Sequence, residues 1–285
     1  GLNVNLTGML GVRTKFQTFQ TPQLVLQAES QHQSEDNNNS AVPTTLSHED
    51  DVYFDKPQIS ESTKSQPLSI IDQVILICLC LDIKGRQAKD GLTQEEMMAF
   101  INRITESQAN NNWMVYSMCL LIKSRLESEK SRTVEKSALQ VQVLVDQFND
   151  KEAHISTRMK HIFQLAFPSR WLLKKELGTR FLNIGAAATA LQVFEELQMW
   201  EEIIDCYRIM DKTKKAEEVV REQLNKNPTP LLWCILGDLT NDRSCYETAW
   251  ELSGKRIARA QRSLARMCVL SKQWEEAIQH YEIAL

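Results

Sequence analysis

Glycine is scarce in this chain: only nine occur in 285 residues, beside 42% hydrophobic and 25% charged residues. That balance reads as a soluble, globular and helical protein. A membrane-length apolar run is missing too. The longest candidate, residues 68–83, is interrupted by Asp72 and Asp82 and reads as a buried helix. Basic excess is also absent. The formal net charge is -4 at pH 7, which argues against a dedicated nucleic-acid surface. No basic stretch followed by an apolar one opens the chain, so its start does not read as a signal peptide.

The motifs of catalysis are lacking as well. There is no HExxH or HxH spacing among the five histidines, no GxSxG, no P-loop and no GxGxxG. His154 and His161 are spaced to share a helix face, and a solvated pair explains them better than a metal site. The Glu-Glu pairs, such as Glu201-Glu202 and Glu275-Glu276, read as solvated helix faces. Seven cysteines are scattered without a CxxC, and Cys78 and Cys80 would point to different sides of one helix. They read as small core residues of a protein in a reducing, cytoplasmic setting. Asn5-Leu6-Thr7 and Asn38-Asn39-Ser40 match the glycosylation sequon, which carries no weight without a secretory signal. No catalytic centre, cofactor or metal is implied.

What is present is organised in four stretches. Residues 1–30, with Phe16, Phe19, Leu24, Val25 and Leu26 around Pro22, read as an extended arm against the helices. Residues 31–66 are dominated by Asn, Ser, Glu and Asp. Such a composition does not bury enough apolar area to offset ordering, so a disordered acidic and polar linker is expected. Within it Ser47 precedes Glu49, Asp50 and Asp51, a context for acidophilic phosphorylation, although a plain spacer fits the same composition. Helical hairpins without a repeat signature are expected over 67–169. Thr93-Gln94-Glu95-Glu96 reads as a capping box there. Apolar stripes follow at Met97, Phe100, Ile101 and Ile104, at Trp113, Tyr116, Leu120 and Leu121, at Val134, Ala138, Val141, Val145 and Phe148, and at Ile155, Met159, Ile162 and Phe163.

The fourth stretch, 170–285, carries the clearest pattern. Trp200 and Tyr207 lie two helical turns apart on one face of a first helix. Ala216 is small enough to let a second helix come close, Val220 sits one turn further, and Pro228 ends the unit. In a repeat frame of about 34 residues these five share one unit starting at Leu197. A frame from Trp171 holds Leu177, Gly178, Phe181, Ala190 and Phe194 at the same offsets. One from Pro230 holds Trp233, Leu236, Gly237 and Ala249, and one from Ala258 holds Leu264, Ala265, Ala277, Tyr281 and Ala284. The starts crowd closer than the ideal frame, so trimmed helices or turns are expected. The last frame stops at Leu285 inside its second helix, and the chain opens on Gly1 instead of Met, which suggests a piece of a longer repeat protein.

These residues resemble the tetratricopeptide repeat family. Trp233-Cys234-Ile235-Leu236-Gly237-Asp238-Leu239 and Trp274-Glu275-Glu276-Ala277-Ile278 resemble a eukaryotic branch of it. The resemblance implies an all-α, right-handed solenoid of helical hairpins, without enzymatic activity. It also implies a link to chaperone-assisted assembly of nuclear complexes, a spliceosomal particle among them, in the cytoplasm and nucleus. In the family the first helices line a concave groove. The equivalent residues here are Lys175, Asn183, Glu201, Asp205, Arg208, Cys234, Asp238, Asn241, Arg262 and Arg266. An acidic middle and a basic far end suit an extended protein segment carrying both charge signs. The carboxylate clamp for chaperone tails would fall on Lys175, Thr179, Glu202, Leu231 and Ile235. Only Lys175 fits, and Glu202 would repel a carboxylate, so no such clamp is expected.

Two other functions compete with a protein-binding scaffold. A helical subunit of a heteromeric enzyme, such as a prenyltransferase α-type chain, would need a catalytic partner and further repeats of its own signature. RNA binding by helical hairpins would need a uniformly basic groove, and the groove candidates carry both signs.

Overall fold

The computed structural model describes residues 1–30, 42–46, 52–59, 66–106, 112–149 and 154–285. They form two compact units, Gly1–Leu173 and Lys174–Leu285. The described residues are mainly helical, and three strands precede the helices.

The first unit opens with an antiparallel sheet in the order β2-β1-β3, formed by β1 (Leu2–Thr14), β2 (Thr21–Ser30) and β3 (Tyr53–Ile59). In β1, Leu2, Val4 and Leu6 alternate with Asn3, Asn5 and Thr7, the two-residue period of a strand with one covered face. Leu6 pairs with Leu26 of β2, and Gly11 pairs with Ile59 of β3. Residues 1–30 are therefore a hairpin and not an arm. Phe16 and Phe19 lie exposed at its turn. The expected linker is also partly structured, because Tyr53 of β3 sits under the Arg132 guanidinium, 3.5 Å from ring centre to Cζ. Residues 31–41, 47–51 and 60–65, and with them Ser47, lie outside the described residues.

Four helices follow in sequence, each packed on the next: α1 (Ile70–Arg86), α2 (Gly91–Glu106), α3 (Trp113–Glu127) and α4 (Val134–Asp146). Ser69 caps α1 by accepting from the Asp72 N–H at 3.2 Å, while its hydroxyl donates to the Asp72 carboxylate at 2.7 Å. The cap of α2 is Asp90, which accepts from the Thr93 N–H at 2.7 Å. The expected capping box is thus displaced by one turn. A carboxylate stood earlier in the chain, and Thr93 is buried with its hydroxyl donating to Gln87. Arg103 of α2, only 4% exposed, donates to the carbonyls of Ala28 and Gln66 at 2.9 and 2.8 Å. One guanidinium thereby joins β2, the approach to α1, and α2.

The stripe at Met97, Phe100, Ile101 and Ile104 is buried, and Trp113 meets Phe148 edge-on at 5.9 Å. The stripe at Ile155, Met159 and Phe163 is not. Only a short α5 (Ile155–Met159) forms there, and these side chains stay exposed.

Helix α6 (Arg170–Asn183) leads into the second unit. It is followed by α7 (Ala187–Leu197), α8 (Trp200–Ile209), α9 (Thr213–Lys226), α10 (Pro230–Thr240), α11 (Arg243–Leu252), α12 (Ala258–Leu270) and α13 (Trp274–Ala284). First helices begin at Arg170, Trp200, Pro230 and Ala258, in nearly equal steps. The helices α6 through α13 are hairpins of an all-α solenoid. Ala190, Ala216, Ala249 and Ala265 are fully enclosed at the helix contacts. Thr229 caps α10 with Pro230 in its first turn, and α9 ends at Asn227 and Pro228.

The closest approaches are made by two glycines. A Cβ on Gly178 would stand 2.7 Å from the Phe194 ring, and one on Gly237 would stand 2.7 Å from the Tyr246 ring. Phe194 follows Ala190 by one turn, whereas Tyr246 precedes Ala249 by one turn. Both offsets keep the ring on the alanine's face of the helix. Trp200, expected to be a packing anchor, is the first residue of α8 and remains 37% exposed. Ile203 and Ile204, one turn inside, occupy the core in its place. Tyr281 is likewise exposed and Ala284 half-buried, on a face of α13 shared with Trp274 and Ile278.

The turns have their own signature. Gln198, Asp211, Asn241, Lys255 and Lys272 all adopt left-handed backbone, with φ between 54 and 64°. Gly185 does the same after α6.

Gly237→Ala should cost about 1–3 kcal/mol, since the ring it meets is buried and held by its hydroxyl. Gly8→Ala, where a Cβ meets nothing within 4 Å, should stay within about 0.5 kcal/mol. Urea unfolding of the two variants side by side checks the contrast.

Candidate peptide-binding face

The amphipathic pattern of α8 decides what its surface presents. Ile203, Ile204 and Cys206 turn inward, leaving Glu201, Asp205 and Arg208 in solvent. Asp205 and Arg208 are one turn apart and form an exposed pair at 3.2 Å. Lys175 on α6 reaches Glu202 on α8 at 3.1 Å, so the carboxylate that would oppose a chaperone tail neutralises the one lysine that would attract it.

Asp238 on α10 is tied on two sides. It accepts from the Tyr246 hydroxyl at 2.8 Å and from Arg259 of α12 at 2.9 Å. Enclosure in the hairpin, and next the Asp238 carboxylate, push the Tyr246 phenol well above its usual range. Tyr246 and Arg259 escaped the sequence reading. Tyr246 was findable from its spacing to Ala249, whereas nothing local singled out Arg259.

Other candidates separate by role. Arg262 and Arg266 are exposed one turn apart on α12, with no partner among the described residues. Asn183 is exposed at the end of α6. Asn241 ends α10 in left-handed backbone at φ 54°. Cys234, expected on the groove, is fully buried instead among Tyr246, Ala249, Ala260 and Leu264. α12 packs against α10 there and covers the thiol.

Little else among the described residues suggests chemistry. Burial pushes the Cys80 thiol up to about 12 and the Cys206 thiol up to about 11, which leaves them protonated and inert near neutral pH. His154 caps α5 and contacts Ser156, while His161 contacts Gln164, so the two histidines have separate partners. No three His, Cys, Asp or Glu side chains converge as a metal site requires among the described residues. No helix there is long and apolar enough to cross a membrane. A cleft of about 220 Å³ between the sheet and α2 is lined by Tyr53, Phe54, Met98 and Asn102. That is smaller than the ~300 Å³ at which small-molecule sites begin. The first-helix face of the second unit presents the exposed charges of Glu201, Asp205, Arg208, Arg262 and Arg266.

No family model matches the chain. The chain is 41% identical, over its whole length, to a tetratricopeptide repeat protein 27 homolog of Dictyostelium discoideum, of which it covers 34%. It is 36% identical over 92% of its length to a TPR repeat-containing protein of Schizosaccharomyces pombe, covering 38% of it. It is 29% identical, over its whole length, to a tetratricopeptide repeat-containing protein of Caenorhabditis elegans, again covering 38%. The chain thus spans about a third of the length of the curated relatives it matches.

The raised thiols fix an alkaline limit. Their folded values exceed the ordinary 9.0, so the stability they give is complete below pH 9 and is lost as pH rises through about 11 and 12. Urea unfolding between pH 8 and 10.5 should show stability falling. Cys80→Ala should flatten that fall by up to about 1.4 kcal/mol per pH unit.

Proposed function

Because this chain belongs to the tetratricopeptide repeat superfamily and resembles tetratricopeptide repeat protein 27, we propose that it is a non-catalytic scaffold that binds segments of partner proteins. The binding surface is the first-helix face of the second unit. The observation that carries this reading is α8, whose inner side is closed by Ile203 and Ile204 while Glu201, Asp205 and Arg208 stand in solvent. Arg262 and Arg266 add exposed cations on α12. A segment with basic residues toward α8 and acidic residues toward α12 matches this order of charge.

The mixed signs argue against RNA, whose backbone would favour a uniformly basic face. The narrower reading is a role in chaperone-assisted assembly of a spliceosomal complex, in the cytoplasm and nucleus. Only the resemblance to that protein supports it. Lys175 is paired with Glu202, so the scaffold would meet chaperones by a route other than a carboxylate clamp in these repeats.

Reversing Glu201→Lys, Asp205→Lys and Arg208→Glu together should remove at least one partner in pulldowns from cells. The melting temperature should hardly move, because exposed ion pairs contribute under about 1 kcal/mol. Retention of every partner by the triple variant would place the binding surface elsewhere.

A further inference from the structure

The first unit contains a buried polar clamp on backbone groups that the repeat pattern does not foreshadow. Gln140 lies on α4, and only 4% of it is exposed. Its side-chain N–H donates to the Thr44 carbonyl at 3.0 Å, and its side-chain oxygen accepts from the Leu46 N–H at 2.8 Å. A glutamine amide carries one acceptor and two donors in a plane, as a peptide group does in simpler form. Here it reads the two backbone groups that flank Thr45, much as a neighbouring strand would. Beside it, the Thr45 hydroxyl lies 2.7 Å from the Tyr116 hydroxyl of α3.

What the clamp holds is a short stretch of this same chain. Within residues 42–46, Pro43 is buried, Val42 and Leu46 are half-buried, and Thr44 and Thr45 are exposed. The sequence on either side, 31–41 and 47–51, offers no apolar side chain larger than Ala41. The apolar contact of this segment is therefore confined to Val42, Pro43 and Leu46, and the Gln140 amide adds a hold on its backbone. A buried polar clamp on backbone groups is the means by which an extended ligand is held with modest dependence on its sequence.

We propose that the α3–α4 surface centred on Gln140 is a second peptide-binding site, occupied in cis by residues 42–46. Its ligand class is an extended segment in which a proline is followed by small hydroxyl residues and an aliphatic one. The chain's own Pro43-Thr44-Thr45-Leu46 is the resident example. A tethered ligand experiences an effective concentration of about a millimolar, so the site stays filled even when its intrinsic affinity is modest. A partner segment must outcompete that tether, which makes the site self-limiting.

The test uses a fluorescent peptide with the sequence of residues 41–47, titrated into the full chain. The comparison protein carries Val42→Gly, Pro43→Ser, Thr44→Gly, Thr45→Ser and Leu46→Gly together. The peptide should bind the comparison protein about tenfold or more tightly than the parent. Adding Gln140→Leu should abolish binding; Tyr116→Phe, which removes one hydroxyl and keeps the ring, should weaken it several-fold and keeps the test decisive where Gln140→Leu disturbs folding. Absence of binding to the comparison protein, equal binding to both, or binding indifferent to Gln140 and Tyr116 would each overturn the proposal. The triple charge reversal on α8 should leave this binding unchanged, so the two sites succeed or fail separately.

Discussion

Two helices approach closely only where one of them lacks a side chain, and the second unit is organised around that fact. Phe194 and Tyr246 lie where a Cβ on Gly178 or Gly237 would be, and enclosing such a ring contributes about 1.5–3 kcal/mol. Enclosed alanines make the same kind of allowance elsewhere in the unit. Once these contacts are set, the rotation of each helix is set with them. The charged side chains of α8 then have only one direction left to face.

The hairpins are also joined to one another. Trp233 packs against the cluster of Ile204, Val220 and Leu236 and also against that of Cys234, Tyr246 and Leu264. Ion pairs from Lys175 to Glu202 and from Arg259 to Asp238 cross between first helices of successive hairpins. Each pair contributes little energy, but together they restrict how one hairpin turns against the next. Disturbance in one repeat therefore passes to its neighbours, as in other stacked repeats.

Much of this order was legible in the sequence, because leucine-glycine pairs and small residues have meanings that survive shortening of the repeat. Leu177, Phe194 and Ala249 are buried, and Gly178 and Gly237 face aromatic rings. Trp200 is not buried, because α8 starts on it and the frame is displaced by one turn. The sheet was missed because period-two alternation over Leu2, Val4 and Leu6 is a weak signal beside two phenylalanines and a proline. Of the groove residues, Glu201, Asp205 and Arg208 were readable from helix periodicity. Asp238 and Cys234 were not, since their surroundings depend on how α12 meets α10, a contact between residues distant in sequence.

The turns of the second unit give one more consequence. Gln198, Lys255 and Lys272 hold left-handed backbone with full side chains, a conformation that disfavours such residues by roughly a kilocalorie each. Glycine would adopt the same geometry without that penalty, as Gly254 already does at φ 63°. The linkers are thus wound less comfortably than they need be, like springs left under tension. This leaves the repeats headroom for adaptation: single glycine substitutions at exposed turns can relieve that penalty without altering a packed contact or a charged residue on its face.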